Sequence, residues 1–352
     1  MKPDPRPMTL TALLTAAGYD CILDSAEETR GSVRSADQQP RVAGLAKSAG
    51  RPGSGTTGEI ALITATFGNH TRLNKGLVEN GLDIVTDVCA DSRRAGPGSC
   101  FVAVGGTQVD GHDYIDAAVE AGASVVVTER ATRVPSHVTT VRVSATASAL
   151  SRLAAAFYGV QKDGPFAMPL IGVTGTNGKS TVAWLLREVL RHAGRRPALF
   201  GTIEYDLYGR VANAPLTTPG PLELCRHLRE ASQHGADVAV LEVSSHALDQ
   251  SRTEGLAFHT GIFTNLSGDH LDYHGSWEAY REAKGKLFSG LEPGRLAILN
   301  ADDESAAHMR GVTPARVMGF SVSANTADAG RSWTLSGYSS RLVADRVESD
   351  LR

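Results

Sequence analysis

The chain has no apolar run longer than a strand, and its first fourteen residues have neither the apolar length nor the flanks of a signal peptide. No membrane segment or membrane partner is therefore expected. Cysteine is scarce: Cys21, Cys89, Cys100 and Cys225 lie far apart and form no Cys-x-x-Cys pair. That usage fits reduced thiols and a cytoplasmic protein rather than a disulfide framework. Neither sign of charge dominates. With 35 Lys+Arg against 38 Asp+Glu the formal net charge is -3, which supplies no uniform basic field, so nucleic acid is not an expected partner. Residues 25–58 lack aromatics altogether and are rich in Ser, Gly, Arg and Ala, so burial there cannot offset ordering entropy and a disordered segment is expected.

What remains is ordinary globular material. Hydrophobic residues make up 41% and charged residues 21% of 352 positions, enough for two domains and an appendage. A short helix is expected over 10–17. From residue 83 the pattern becomes regular: a buried strand over 99–105, a helix over 112–121 closed by Gly122, and a strand over 124–128 form a βαβ-like unit. Residues 141–143 read as an edge strand, and 148–158 as a helix running to a boundary at Gly164-Pro165. Beyond it, strands over 170–174, 237–243, 261–265 and 295–300 alternate with helices over 179–192, 221–234 and 276–288. That alternation predicts an α/β protein with a doubly wound, mostly parallel sheet.

Three segments carry chemistry. In the first, Val173-Thr-Gly-Thr-Asn-Gly-Lys179-Ser180-Thr181 joins a strand to a helix. Gly175 and Gly178 let backbone N–H groups turn on phosphate oxygens, Lys179 neutralises charge, and Ser180 is a Mg²⁺ ligand candidate. The pattern is shorter than the full G-x-x-x-x-G-K-[ST], because Val173 stands where that pattern has its first Gly; a Gly-rich turn with an exposed lysine is the bland alternative. In the second, Glu242-Val-Ser244-Ser245-His246 follows a strand, where Glu242 is placed to meet a metal held by the phosphate loop, although an acid followed by serines is also how helices are capped. In the third, Asp269, His270, Asp272 and His274 supply metal ligands, acid/base groups or simply a solvated loop. Lys284 and Lys286, two apart on one helix, read by physics alone as surface lysines.

The runs TGTNGKST, LEVSSHALDQSR over 241–252, FTNLSGDHLDYHGSWEAYREAK over 263–284 and ILNADD over 298–303 together resemble the Mur ligases, and among them the MurE type, which adds the third amino acid of the peptidoglycan stem. The run over 91–123 is similar to that family's uridine-binding domain, and the likeness covers residues 83–320. The resemblance implies four segments: 1–82 as a short helix plus disordered leader, 83–164 as an α/β UDP-sugar-binding domain, 165–330 as a P-loop ATP-binding domain, and 331–352 as a truncated tail. It implies an ATP-dependent amide ligase acting on a UDP-muramoyl peptide and an amino acid through an acyl-phosphate. Thr176, Asn177, Gly178, Lys179, Ser180 and Thr181 would cradle ATP, and Asn300 would meet adenine. Ser180 and Glu242 would hold one Mg²⁺, with His270 contributing to a second site. Lys284 would carry a carbamate that makes it a metal ligand. Ser92, Thr107, Gln108 and Val109 fall on the uridine-diphosphate side, and Thr217, Thr218, Ser244, Gln250 and Arg252 on the muramoyl-peptide side.

Leu216 departs from the family pattern, which commonly has Asn before the threonine pair. The family's third, carboxyl-terminal domain is also expected to lie outside this chain, leaving a separate domain as a possible partner. Two other readings are carried: a module that only binds ATP-Mg²⁺ and the UDP-sugar, and a related ligase such as folylpolyglutamate synthetase, against which the run over 91–123 argues.

Overall fold

The computed structural model describes residues 5–24, 62–66, 70–74, 84–106, 109–321, 332–334, 339–343 and 346–350. The segment 25–58, expected to be disordered, lies outside the described residues. The chain divides into two compact units, one made of Pro7–Thr15 and Tyr19–Thr146, the other built on Ala147–Arg352.

In the first unit, β1 (Met8–Thr9) leads into α1 (Leu10–Ala16) and pairs antiparallel with β5 (Ile84–Val85). The main sheet contains β2 (Asp20–Asp24), β3 (Leu62–Thr66), β4 (His70–Asn74), β6 (Asp87–Cys89), β7 (Ser99–Val102), β8 (Val125–Thr128) and β9 (Thr139–Arg142), in the order β2-β4-β3-β9-β8-β7-β6. Helix α2 (Ile115–Glu120) crosses from β7 to the parallel β8, the expected βαβ unit. Phe101, Val126, Ile115 and Ala118 form its core with Cys89 and Val138. Every residue of β7 and β8 is buried, as strands covered on both faces require.

Two expectations change here. Residues 139–142 form an interior strand rather than an edge, because Leu62 pairs with Thr140 on the side away from β8. The stretch 1–82, expected as a helix and a leader, also contributes β2, β3 and β4 to the sheet. The pairing partner of β9 follows the aromatic-free segment, where no local pattern announces it.

The second unit opens with α3 (Thr146–Tyr158). Its sheet contains β10 (Leu170–Thr174), β11 (Pro197–Phe200), β12 (Glu204–Asp206), β13 (Val211–Asn213), β14 (Val238–Glu242), β15 (Phe258–Phe263), β16 (Leu296–Asn300), β17 (Arg316–Ser321) and β18 (Ser332–Thr334). The order is β13-β12-β11-β14-β10-β15-β16-β17-β18, parallel from β11 to β18 with an antiparallel β12-β13 hairpin at one edge. Helices α4 (Lys179–His192), α5 (Pro221–His234), α6 (Ser245–Asp249), α7 (Leu271–His274), α8 (Trp277–Ser289) and α9 (Ala306–Val312) connect the strands. β19 (Ser339–Val343) and β20 (Arg346–Asp350) form a separate antiparallel pair.

The expected α/β architecture with a doubly wound, mostly parallel sheet is thus present. The helices over 179–192 and 221–234 have the expected bounds and end ahead of Gly194 and Gly235, both of which have left-handed backbone. The core beside α4 is Val173, Ala183, Leu199, Val240 and Ile262. The division of the chain into units falls at Thr146/Ala147 rather than at the Gly164-Pro165 signal. α3 belongs with the second unit because Arg152 Nε and Nη2 donate to Glu254 Oε1 at 3.0 and 2.9 Å, and its backbone closes on Gly255. Gly164-Pro165 is a turn within that unit.

Candidate functional site

Strand order reverses at β10: the chain returns on one side as β11 and β14, then on the other as β15 and β16. Ligands of open α/β sheets gather at the carboxyl ends of strands beside such a switch point. Here those ends carry Thr174, Glu242, Phe263 and Asn300, with Gly201 and Thr202 just past β11.

The loop after β10 turns on Gly175 (φ +148°) and Gly178 (φ +81°). A Cβ on Gly175 would lie 1.9 Å from Thr264 Oγ1, so no other residue fits against that neighbour. The loop is braced by the segment after β15. The N–H groups of Thr176 and Asn177 donate to Asn265 O (2.8 Å) and Asn265 Oδ1 (3.0 Å), and Thr264 Oγ1 donates to Asn177 O (2.7 Å). Two of the amides expected to face phosphate are therefore already taken. The first turn of α4 leaves Lys179, Ser180 and Thr181 N–H without intrahelical acceptors, and this helix end is the anion-facing part of the loop.

Two amines converge on one carbonyl. Lys179 Nζ donates to Gly175 O (3.0 Å) and Thr176 O (2.8 Å), and Lys284 Nζ donates to the same Gly175 O (2.8 Å). Lys284 is 1% exposed and lies 4.6 Å from the Tyr280 ring centroid, so the surface reading of this residue is corrected: helix α8 turns it into the loop. Burial, aided by the Lys179 charge and opposed by Asp269, pushes its amine down to about 7. Burial also lowers Lys179, against the pull of Glu242 and Asp269. Lys286, on another face, is half-exposed and pairs with Asp249.

Glu242 is fully buried at the end of β14. Its carboxylate accepts from Ser180 Oγ (2.8 Å), Thr202 N (3.0 Å) and Thr202 Oγ1 (3.1 Å). It is not a helix cap. That role belongs to Ser244, whose side chain accepts from Ala247 N at 3.2 Å. A buried carboxylate and a hydroxyl in contact, at a helix N-terminus suited to phosphate, are the oxygen donors a hard divalent cation takes, so this pair fits Mg²⁺. His270 does not join it. His270 stands in left-handed backbone (φ +53°) ahead of α7, half-exposed, 3.6 Å from Asp269 Oδ2 and edge-on to His246. Among the described residues no group of three His, Cys, Asp or Glu side chains is close enough to hold a metal. Ser180 and Glu242 are thus brought together, while His270 and Lys284 have in common only a contact each with the Tyr280 ring.

The muramoyl-side candidates cluster past β14. Thr218 is buried, donating to Glu242 O (2.8 Å) and accepting from Ser244 N (3.0 Å), which occupies its hydroxyl inside the protein. Arg252 donates to Thr218 O (3.0 Å) and to Gln250 Oε1, and Gln250 Nε2 donates to Tyr273 Oη. Burial lowers the Arg252 guanidinium. Thr217 is half-buried and touches Thr202. Asn300 has both ends of its amide engaged, donating to Thr264 O (2.8 Å) and accepting from Asp302 N (3.1 Å). Beside it a cavity of about 300 Å³ is lined by Leu266, Trp277, Arg281 and Asp302 to Ser305, and Arg281 Nε is buried there without a partner.

In the first unit, Ser92 opens a short 3-10 turn capped by Asp91, and Val109 is 57% exposed. Thr107 and Gln108 lie outside the described residues. Asp110 braces the chain after Val109 by contacts to His112 Nδ1 (2.6 Å) and Arg130 (2.7 Å).

Sequence reasoning missed Thr202, Asn265 and Tyr280. Asn265 and Tyr280 sit inside a singled-out run. Thr202 had only the weak signal of a short apolar strand ending at Gly201.

The family described as Mur ligase middle domain matches residues 173–348, and the one described as Mur ligase family, catalytic domain, matches 84–158. The chain is similar to the UDP-N-acetylmuramoyl-L-alanyl-D-glutamate--2,6-diaminopimelate ligase of Geobacter metallireducens, 43% identical over 239 residues, covering 66% of this chain and 46% of the relative. The ligase of the same name from Ectopseudomonas mendocina is 39% identical over 281 residues, covering 78% and 57%. A solved structure of a ligase so named superposes with a TM-score of 0.60 at 29% identity, covering 72% of this chain and 51% of that one. The chain spans about half the length of the curated relatives it matches.

Proposed function

The chain belongs to the Mur ligase family, and from that premise we propose that it is an ATP-dependent amide ligase of peptidoglycan synthesis, acting in the cytoplasm. Its acceptor is UDP-N-acetylmuramoyl-L-alanyl-D-glutamate and, following the names of its relatives, its incoming amino acid is 2,6-diaminopimelate. The observation that carries the reading is the buried Glu242 carboxylate on Ser180 Oγ, at the start of the phosphate-facing helix and beside Thr217 and Thr218.

The acceptor carboxylate attacks the γ-phosphorus, the bond to ADP breaks, and an acyl-phosphate forms. The amine then attacks the acyl carbon, phosphate leaves, and the amine loses a proton. No protein nucleophile is needed, so positioning and charge stabilisation do the work. The N–H groups of Lys179, Ser180 and Thr181 receive the phosphates, and Lys179 leaves the loop carbonyls for the transferring group. Ser180 and Glu242 hold Mg²⁺, which when bound neutralises charge building on the phosphates. The cavity of Trp277 and Arg281 takes the adenine, with Asn300 bracing its wall. Thr217, Gln250 and Arg252 orient the acceptor, Thr218 and Ser244 hold their loop, and Ser92, Thr107, Gln108 and Val109 take the uridine diphosphate.

Lys284 becomes a ligand by reaction with CO₂: the neutral amine's lone pair forms the N–C bond, one C=O electron pair moves to oxygen, and a proton is released. An amine pushed down to about 7 has the neutral form this needs. His270, the other neighbour of the Tyr280 ring, would complete a second site.

Purified chain with ATP, UDP-N-acetylmuramoyl-L-alanyl-D-glutamate and a panel of diamino acids should release ADP and yield an amide. Ligand binding without ADP release would favour the binding-only reading instead.

A further inference from the structure

Thr202 has no place in the motifs, yet it makes two of the three hydrogen bonds to the metal-binding carboxylate. Its N–H donates to Glu242 Oε1 (3.0 Å), and its Oγ1 lies 3.1 Å from both Glu242 Oε2 and Thr217 Oγ1. A hydroxyl has one proton, and an ionised carboxylate is the stronger acceptor, so the Thr202 proton goes to Glu242 and Thr217 must supply the other. The result is a directional chain: Thr217 O–H to Thr202 Oγ1, Thr202 O–H to Glu242 Oε2, with Ser180 O–H reaching the same Oε2 at 2.8 Å. The preceding residue is fitted to this arrangement, since a Cβ on Gly201 would stand 2.1 Å from Glu242 Oε1. Thr202 is itself exposed, so the chain runs from the open acceptor side to a buried ligand.

We propose that Thr202 is a positioning residue that fixes the Glu242 carboxylate for the divalent cation and ties its orientation to occupancy of the acceptor side at Thr217. The proposal rests on the ligase reading. An acceptor that donates a hydrogen bond to Thr217 Oγ1 lengthens this chain and polarises each O–H in turn, so the Thr202 O–H donates more strongly to Glu242 Oε2. The carboxylate is held more tightly when the acceptor is present.

The test uses Mn²⁺ binding, followed by electron paramagnetic resonance with a non-hydrolysable ATP analogue, with and without UDP-N-acetylmuramoyl-L-alanyl-D-glutamate. The wild-type chain should bind Mn²⁺ and bind it more tightly with the acceptor. Thr202→Val keeps shape and the backbone N–H but loses the hydroxyl; its Mn²⁺ affinity should fall about 10- to 100-fold and the tightening should vanish. Thr202→Ser should restore both. A valine variant with wild-type affinity and tightening overturns the proposal, as does equal loss in the serine variant, which keeps the hydroxyl. Wild-type chain that binds no Mn²⁺ with the nucleotide sinks the ligase reading itself, and is thereby distinguishable.

Discussion

The crowding of Lys179 and Lys284 on Gly175 O makes the most direct demands on individual side chains. Lys179→Ala should abolish nucleotide binding or phosphoryl transfer, and unchanged ATP affinity and turnover would count against the loop assignment. For Lys284 the sign follows from its lowered amine: the neutral form grows as pH rises through about 7, so carbamate formed from ¹³C-labelled CO₂ should increase across that point by NMR and disappear in Lys284→Ala. The same shift affects stability. The unfolded amine keeps its proton to about 10.5, so the unfolded chain binds more protons between about 7 and 10.5 and this residue's contribution rises with pH there. A urea titration in which Lys284→Met flattens that rise would confirm it. Residue types pointed to a strand-to-helix loop at Gly175, Lys179 and Ser180, and the chain does pass there from β10 into α4, because a strand, glycines and an amphipathic helix are each read locally. They could not foretell that Lys284 is buried while Lys286 is exposed, since two positions two apart on a helix face differently and only the tertiary partner decides which one goes in.

Between neighbouring elements, the phosphate loop is held less by its own glycines than by the segment after β15. Asn265 occupies the Thr176 and Asn177 amides, and Asn300 holds Thr264 in place. Asn265→Ala should leave the helix formed but lower nucleotide affinity about tenfold, the loss of roughly one charge-free bond with its brace, measured by calorimetry. An unchanged affinity would make the brace irrelevant to binding. Helices such as α4 and α5 were legible because caps and stop signals are local. β11 and the Gly201-Thr202 corner were not, because a four-residue strand carries almost no pattern of its own and gains its meaning from the carboxylate opposite.

Across the whole chain, the division at Thr146/Ala147 predicts how pieces behave. α3 buries Leu153 and Phe157 and anchors Arg152 to Glu254, so a fragment starting at 146 should unfold cooperatively with about 3–6 kcal/mol more stability than one starting at 165. Equal denaturant midpoints would return the boundary to Gly164-Pro165. The Gly/Pro signal was real but marked a turn, and strands β2 to β4 went unseen because β3, through which β4 and β2 join the sheet, finds its partner β9 across a long sequence separation. β10, finally, has β14 on one side and β15 on the other, and its hydrogen bonds open only when the central sheet does. In hydrogen exchange its amides should therefore be among the slowest of the second unit, so the loop it carries persists through local openings elsewhere and is lost only with the sheet itself.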